Sequence, residues 1–142
     1  MKNFKPLLAV ASVVFALVAC NLMSSSPTST LKAFWEAQKK KDVAGMKKTL
    51  SKSSIQMMET AAKAQGKSVD DALKEGFESP GAKSEKIPET RNEKIDGDSA
   101  TLEVQDSDTK KWSKVYFVKE EKEWKIALDK TIEELFKNLG TP

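Results

Sequence analysis

The spacing of apolar residues changes at Pro80-Gly81, and this change limits the folds that the sequence allows. Before that point, apolar residues recur every three or four positions, which is typical of amphipathic helices. After it they alternate with polar residues, as in Ala100, Leu102 and Val104, which is typical of strands with one buried face. Segregated elements of this kind predict an α+β fold. In it, N-terminal helices pack on a curved antiparallel sheet, and a short helix closes the chain.

Capping residues predict where the helices begin. We expect the first helix from near Pro27 to about Lys41, because proline suits a first helical turn. Asp42 is a good N-cap for a second helix. Two further helices are expected after the serines at 51–54 and after Ser68; glycine at position 66 and the Pro80-Gly81 pair would end them.

Turn residues divide the second half of the chain into four strands. We expect a polar edge strand over residues 83–95, in which Pro88 is tolerated only because an edge position needs fewer hydrogen bonds. Residues 112–118 carry apolar side chains on both faces, which predicts a central strand. The last strand should include Leu128, and Thr131 with Glu134 predicts a capping box for the closing helix. Hairpin turns are expected at Asp96-Gly97, 106–108 and 120–122.

The N-terminus has the organisation of a secretory signal, with two lysines, an apolar run over residues 7–19 and small residues at its end. The run is shorter than the ~20 residues that a membrane-spanning helix needs. Cys20, the one cysteine, directly follows Leu17-Val18-Ala19, and this segment resembles the lipobox of bacterial lipoproteins. The resemblance implies that residues 1–19 are removed and that Cys20 is diacylated. An ordinary signal peptide with a chance cysteine is the alternative.

A lipobox implies a domain organisation and a location. Residues 20–29 are small and polar, so we expect a lipidated, flexible tether before a single α+β domain over residues 30–142. The partner would be a membrane, held through the lipid on Cys20. Asn21 is not the aspartate that resembles an inner-membrane retention signal, which favours the outer membrane, facing the periplasm, if the source has one.

Composition excludes several kinds of chemistry. The chain has no histidine, the commonest general base and transition-metal ligand. With Cys20 lipidated, no thiol remains as a nucleophile or zinc ligand. Loss of Lys2 and Lys5 with the signal lowers the formal charge from +3 to +1, which leaves no electrostatic footprint for nucleic acid. The sequence therefore predicts no metal, no cofactor and no nucleic-acid partner.

Six segments together form a recognisable pattern: 34–37, 41–42, 50–51, 92–101, 116–119 and 124–126. With the lipobox before them, they resemble small bacterial lipoproteins of the nuclear-transport-factor-two-like superfamily. The similarity spans Pro27 to Leu128 and implies a cone-like sheet, wrapped by helices, with a cavity between them. Enzymatic relatives use an Asp or Tyr acid–base set in that cavity. No motif here matches such a set, so no catalytic residue is assigned.

Five aromatic residues are candidates for lining an apolar pocket: Trp35, Trp112, Tyr116, Phe117 and Trp124. They could equally form the core, because each has the spacing that its element needs for packing. Tyr116 is the most informative of them, since its hydroxyl would orient a ligand if its face of the strand met the cavity. Alternation puts Trp112 and Val118 on that face and Phe117 on the other.

These features predict a lipid-anchored cell-envelope protein whose domain binds a small apolar ligand or a protein partner and is not an enzyme. One alternative is a cavity enzyme of the isomerase or dehydratase type that uses a carboxylate and Tyr116. Another is a structural spacer. The lysines at 39–41 and 47–48 could contact anionic lipid headgroups, although a solvated helix end explains them as well.

Overall fold

The computed structural model describes residues 26–79 and 86–140, which form five α-helices and one four-stranded antiparallel sheet. The α+β class expected from the sequence is confirmed. The elements are α1 (Pro27–Lys39), α2 (Val43–Thr49), α3 (Lys52–Ala64), α4 (Val69–Gly76), β1 (Thr90–Asp96), β2 (Ser99–Gln105), β3 (Trp112–Glu120), β4 (Glu123–Ile126) and α5 (Leu128–Leu139). The strands pair in chain order, so β2 and β3 are the inner strands.

The predicted signal, Cys20 and most of the predicted tether lie outside the described residues. The tether was expected to extend to residue 29, but α1 begins at Pro27. Ser26 caps this helix, since its hydroxyl accepts the backbone N–H of Ser29 at 3.0 Å. The folded part of the chain therefore starts a few residues earlier than the predicted domain boundary.

The other helix starts follow the capping residues that the sequence offers. Asp42 caps α2, Ser51 caps α3 and Ser68 caps α4, each by accepting a backbone N–H from its first turn. After α3 the chain turns at Gly66, which has a φ of +69° that favours glycine. These predictions are confirmed.

The sheet confirms the central strand and the hairpin turns, but two predicted boundaries are wrong. Of the predicted edge strand, residues 86–89 are not in a strand, and β1 begins only at Thr90. Pro88 lies in this stretch and has no N–H to donate to a ladder. At the other end of the sheet, β4 ends at Ile126, and Leu128 is already the first residue of α5.

The predicted capping box of the closing helix is also wrong. The residue before α5 is Ala127, and no side chain caps the helix. Thr131 instead lies within the helix, where its hydroxyl accepts the backbone N–H of Tyr116 at 3.1 Å and donates to the carbonyl of Ala127 at 2.9 Å. The Thr131 hydroxyl thus hydrogen-bonds the backbone of β3 beyond the end of β4, where a further β4 residue would otherwise pair. The local sequence does not indicate this contact, because its two residues lie on different elements.

Two groups of buried side chains form the core. The larger one joins the sheet to the helices, since Leu31 of α1 and Leu50 are buried together with strand residues. The smaller one joins α1, α2 and α4. The larger group contains Leu31, Leu50, Ala100, Leu102, Phe117, Trp124 and Ile126, and the smaller one Ala37, Met46, Leu73 and Phe77.

A buried pair of serines connects α3, β4 and α5. Ser51 and Ser54 are fully buried, and their hydroxyl oxygens lie 2.6 Å apart. The Ser54 hydroxyl accepts the backbone N–H of Leu128 at 2.8 Å and lies 3.1 Å from both the carbonyl of Ile126 and a carboxylate oxygen of Asp129. This hydroxyl therefore satisfies the backbone where the chain passes from β4 into α5.

Replacing Ser54 with alanine should leave these buried polar groups unpaired. We expect Ser54→Ala to lower the free energy of unfolding by about 1–3 kcal/mol, the cost of an unsatisfied buried hydrogen-bonding group. Urea denaturation followed by circular dichroism measures the loss. Ser53→Ala is the control, because Ser53 is exposed and its hydroxyl contacts the hydroxyl of Ser51 at 3.1 Å but none of the backbone groups that Ser54 satisfies, so its replacement should cost less. Equal effects of the two substitutions would contradict a specific role for Ser54.

Candidate functional site

A groove of about 690 Å³ lies between α1, α2 and β4. Its volume is within the range of ~300–1,000 Å³ that is usual for small-ligand sites. One face of α1 forms one wall, and α2 with the first residues of β4 forms the other. The lining residues are Ser29, Thr30, Ala33, Glu36, Ala37, Lys40, Asp42, Gly45, Lys48, Thr49, Glu123, Trp124 and Lys125.

Small residues let α1 and α2 approach each other closely beside the groove. Ala33 and Ala37 follow one another on the face of α1 that borders the groove, and Gly45 of α2 lies close to Ala37. A Cβ atom at Gly45 would collide with the carboxylate of Asp42 and would lie only 3.1 Å from the Cβ of Ala37. Because Asp42 is held in place as the N-cap of α2, a larger residue at position 45 would displace the two helices that form the groove.

Polar contacts fix β4 against both helices. The hydroxyl of Thr30 donates to the carbonyl of Trp124 at 3.1 Å. The ammonium group of Lys125 donates to the carbonyl of Lys48 and to the carboxylate of Glu123, both at 2.7 Å. The Lys125 side chain is only 17% exposed, and its hydrogen bond to Lys48 joins β4 to the end of α2. The walls of the groove are therefore positioned by specific hydrogen bonds.

The rim of the groove carries both signs of charge. Lys40 and Lys48 make no ion pair with any described residue, and Glu36 projects from the same face of α1 as Lys40. Elsewhere in the lysine-rich stretch, Lys41 pairs with Glu78 at 3.3 Å and Lys47 with Asp70 at 2.9 Å. Lys41 and Lys47 are thus engaged outside the groove, whereas Lys40 and Lys48 border it.

The structure does not bring the five predicted pocket aromatics into one cavity. Phe117 and Trp124 are buried in the larger core, with 1% and 4% exposure, and Trp35 packs at the margin of this core. Trp124 alone among the five borders the groove. Trp112 and Tyr116 are half-buried and lie on the other face of β3 from Phe117.

The face of β3 that carries Tyr116 is the one away from the buried core. Phe117 is opposite Ala100 and Ile126 in the sheet, and all three are buried, whereas Tyr116 is opposite Thr101. Tyr116 therefore lines neither the core nor the groove. On the same face, the guanidinium of Arg91 lies 4.0 Å from the ring centre of Trp112 and 2.7 Å from Glu103. This cation–π contact belongs to the surface of the sheet.

The acidic residues have the environment of surface groups. Every described Asp and Glu is at least partly exposed. Where the pKa of a carboxyl group is shifted, it is lowered by hydrogen bonds, whereas a buried catalytic acid needs a raised pKa. The carboxyl groups with a lowered pKa, each with the residue that contributes most, are Asp71 with Ser68, Glu103 with Arg91, Asp106 with Thr109 and Glu121 with Lys52.

Residues 26–79 and 86–140 show neither a metal site nor a membrane-spanning helix. These residues contain no group of three or more His, Cys, Asp or Glu side chains arranged to hold a metal ion. None of their helices has the length and apolar character needed to cross a membrane. Comparison of the chain with protein-family models, with curated proteins and with solved structures found no significant match.

Sequence reasoning missed most of the groove. Of its lining, only Trp124 was among the predicted pocket residues. The available signal was the small residues at helical spacing in α1, together with a glycine inside α2, where glycine costs about 1 kcal/mol relative to alanine. The local sequence does not indicate that β4 lines the groove, because this depends on contacts between residues far apart in the sequence.

Proposed function

We propose that this chain is a lipid-anchored protein of the cell envelope whose folded domain binds a ligand without catalysing a reaction. The anchor is the diacylated Cys20, and the location is the outer membrane, facing the periplasm, if the source has one. The observation that carries the binding function is the groove, whose lining combines apolar side chains with charges of both signs. The resemblance of residues 27–128 to nuclear-transport-factor-two-like lipoproteins supports a cone-like helix-on-sheet domain.

The groove favours a ligand with a slender apolar body and a polar end. Ala33, Ala37 and Trp124 offer an apolar floor, and burial of apolar surface there would supply most of the affinity. Lys40 and Lys48 would fix the orientation by contacting an acidic group of the ligand. Either a small amphiphile or an extended segment of an envelope protein has this chemistry.

Two observations support binding over catalysis. The described carboxyl groups are all at least partly exposed. Of the three that line the groove, Asp42 is a helix cap, Glu123 is a partner of Lys125 and Glu36 is exposed on α1. Tyr116, the acid of the alternative enzyme hypothesis, lies on the other face of the sheet from the core that Trp124 joins. The groove therefore brings together neither Tyr116 nor a buried carboxyl group.

Filling the groove with one large side chain tests the proposal. We expect Ala33→Phe to lower ligand retention at least about tenfold, which corresponds to ~1.4 kcal/mol of binding free energy. The protein would be purified from intact envelopes, and the retained lipids and peptides quantified by mass spectrometry. Ala44→Phe is the matched control, because Ala44 is an exposed residue of α2 outside the groove lining.

The result is informative only if the variants fold, so thermal melts accompany the binding measurement. A species that the parent and Ala44→Phe retain and that Ala33→Phe loses is the expected result. Tyr116→Phe should retain it as well, because Tyr116 does not border the groove. Equal retention by all variants, or a loss with Tyr116→Phe alone, would contradict the groove as the binding site.

A further inference from the structure

The last helix exposes a row of large apolar side chains. Ile132, Leu135, Phe136 and Leu139 are 39%, 56%, 67% and 75% exposed and are named here the apolar stripe. They recur at helical spacing along one side of α5, in line with Leu128, which packs against the larger core. Exposure increases towards Leu139, so the stripe leaves the body of the domain as the helix proceeds. A continuous exposed row of this kind indicates an interaction surface.

The two lysines of α5 are turned away from the apolar stripe. With about 3.6 residues per turn, Lys130 and Lys137 lie on the opposite side of the helix. Lys137 is engaged by Glu133 at 2.8 Å and Glu134 at 3.6 Å within the same helix. Neighbouring positions on one flank are neutral, Thr131 and Asn138. The surface that α5 offers is therefore apolar and carries no excess of positive charge.

A short connection limits how far the domain can move from an anchor at Cys20. Five residues, 21–25, separate Cys20 from the cap of α1 at Ser26. At ~3.3–3.6 Å per residue they span at most about 20 Å, which is less than the width of the domain. An anchored domain would therefore remain against the bilayer surface, where even a weak second contact operates at high effective concentration.

We propose that α5 is a membrane-surface helix, with the apolar stripe inserted among the headgroups of uncharged lipids. This inference rests on the lipid anchor of the proposed function. A helix with one apolar side and a strongly polar opposite side lies in the plane of the interface, and its insertion depends on apolar burial. Because the lysines point away and acidic residues outnumber them in α5, anionic lipid is not required and binding should be insensitive to salt.

A second copy of the chain fits the apolar stripe less well. A standard protein–protein interface involves about 20–30 residues from each partner, whereas the stripe offers four. A bilayer contact needs no such area, because the anchor already supplies the membrane affinity.

The test replaces the biological lipid with a chemical one, so that it does not depend on lipidation in the cell. Residues 20–142 contain every described residue and a single cysteine, which can be coupled to a maleimide lipid in phosphatidylcholine vesicles. A Phe136→Trp variant places a fluorophore in the apolar stripe, and Lys137→Trp places it one residue away on the far side. Brominated phosphatidylcholine quenches tryptophan that enters the bilayer, and the unsubstituted chain gives the background from Trp35, Trp112 and Trp124.

We expect the added fluorescence of Phe136→Trp to be quenched at least about threefold more than that of Lys137→Trp, with and without 0.5 M salt, which screens charges beyond ~4 Å. Equal quenching of the two variants would overturn the proposal, as would quenching that requires anionic lipid. A third outcome would also overturn the proposal: neither variant is quenched and sedimentation shows a dimer. A second copy of the chain would then cover the apolar stripe. Failure of Cys20 lipidation in cells would leave this result unchanged, which separates it from the proposed function.

Discussion

Replacement of Trp124 with alanine is expected to lower the free energy of unfolding by about 3–5 kcal/mol, the range for a large aromatic side chain in a core. Trp124 is 4% exposed and packs with Phe117 and Ile126. The ammonium group of Lys119 lies 5.4 Å from its ring centre and covers it on one side. Alanine would leave a cavity between α1 and the sheet. Urea denaturation monitored by far-ultraviolet circular dichroism measures the loss.

Trp35 provides an internal comparison for this experiment. From the sequence, both tryptophans were candidates for the core as well as for a pocket. In the structure Trp35 is only partly buried, at the margin of the core, with its ring edge against Phe34 at 6.4 Å between centroids. We therefore expect Trp35→Ala to cost less than ~3 kcal/mol, below the range for a fully buried aromatic. A larger loss for Trp35→Ala than for Trp124→Ala would contradict this assignment of the core.

The elements of the fold were largely predictable because they depend on local chemistry. Capping residues such as Asp42 and Ser51 satisfy backbone groups a few positions away, and Gly97, with a φ of +57°, supplies the turn between β1 and β2. The period of the apolar residues separates helices from strands. Each of these signals is visible within a short window of sequence.

The candidate site was less predictable because it depends on which elements meet. Alternation places Tyr116 and Phe117 on opposite faces of β3, but it does not show which face meets the helices. That is decided by the pairing of Phe117 with Ile126 and by the packing of Leu31, residues far apart in the sequence. The groove likewise depends on the close approach of Gly45 to Ala37.

Cys20→Ser is expected to move the protein from the membrane fraction to the soluble fraction, or to leave an uncleaved precursor. Two acyl chains contribute ~0.8 kcal/mol per buried methylene and dominate membrane affinity, whereas a surface helix alone binds reversibly. Fractionation of cells expressing the parent and the variant, followed by washing in high salt and dilution, measures the change. Ser24→Ala is the control, because it alters the tether and keeps the cysteine.

A Cys20→Ser protein that has lost residues 1–19 and still stays with membranes after these washes would contradict the anchor. Leu135→Glu in the chain that keeps Cys20 separates the two membrane contacts, because Leu135 is exposed and the substitution places a charge in the apolar stripe without altering the anchor. We expect this variant to stay with the membrane and to melt at the same temperature as the parent.

The intact mass of the protein purified from membranes tests the central claim most directly. A lipid-anchored protein of this sequence should begin at Cys20 and carry the added mass of a diacylglyceryl group on its sulfur, so that the mass corresponds to residues 20–142 plus the lipid. A chain that begins at another residue, or one that begins at Cys20 with a free thiol, would contradict the proposed anchor.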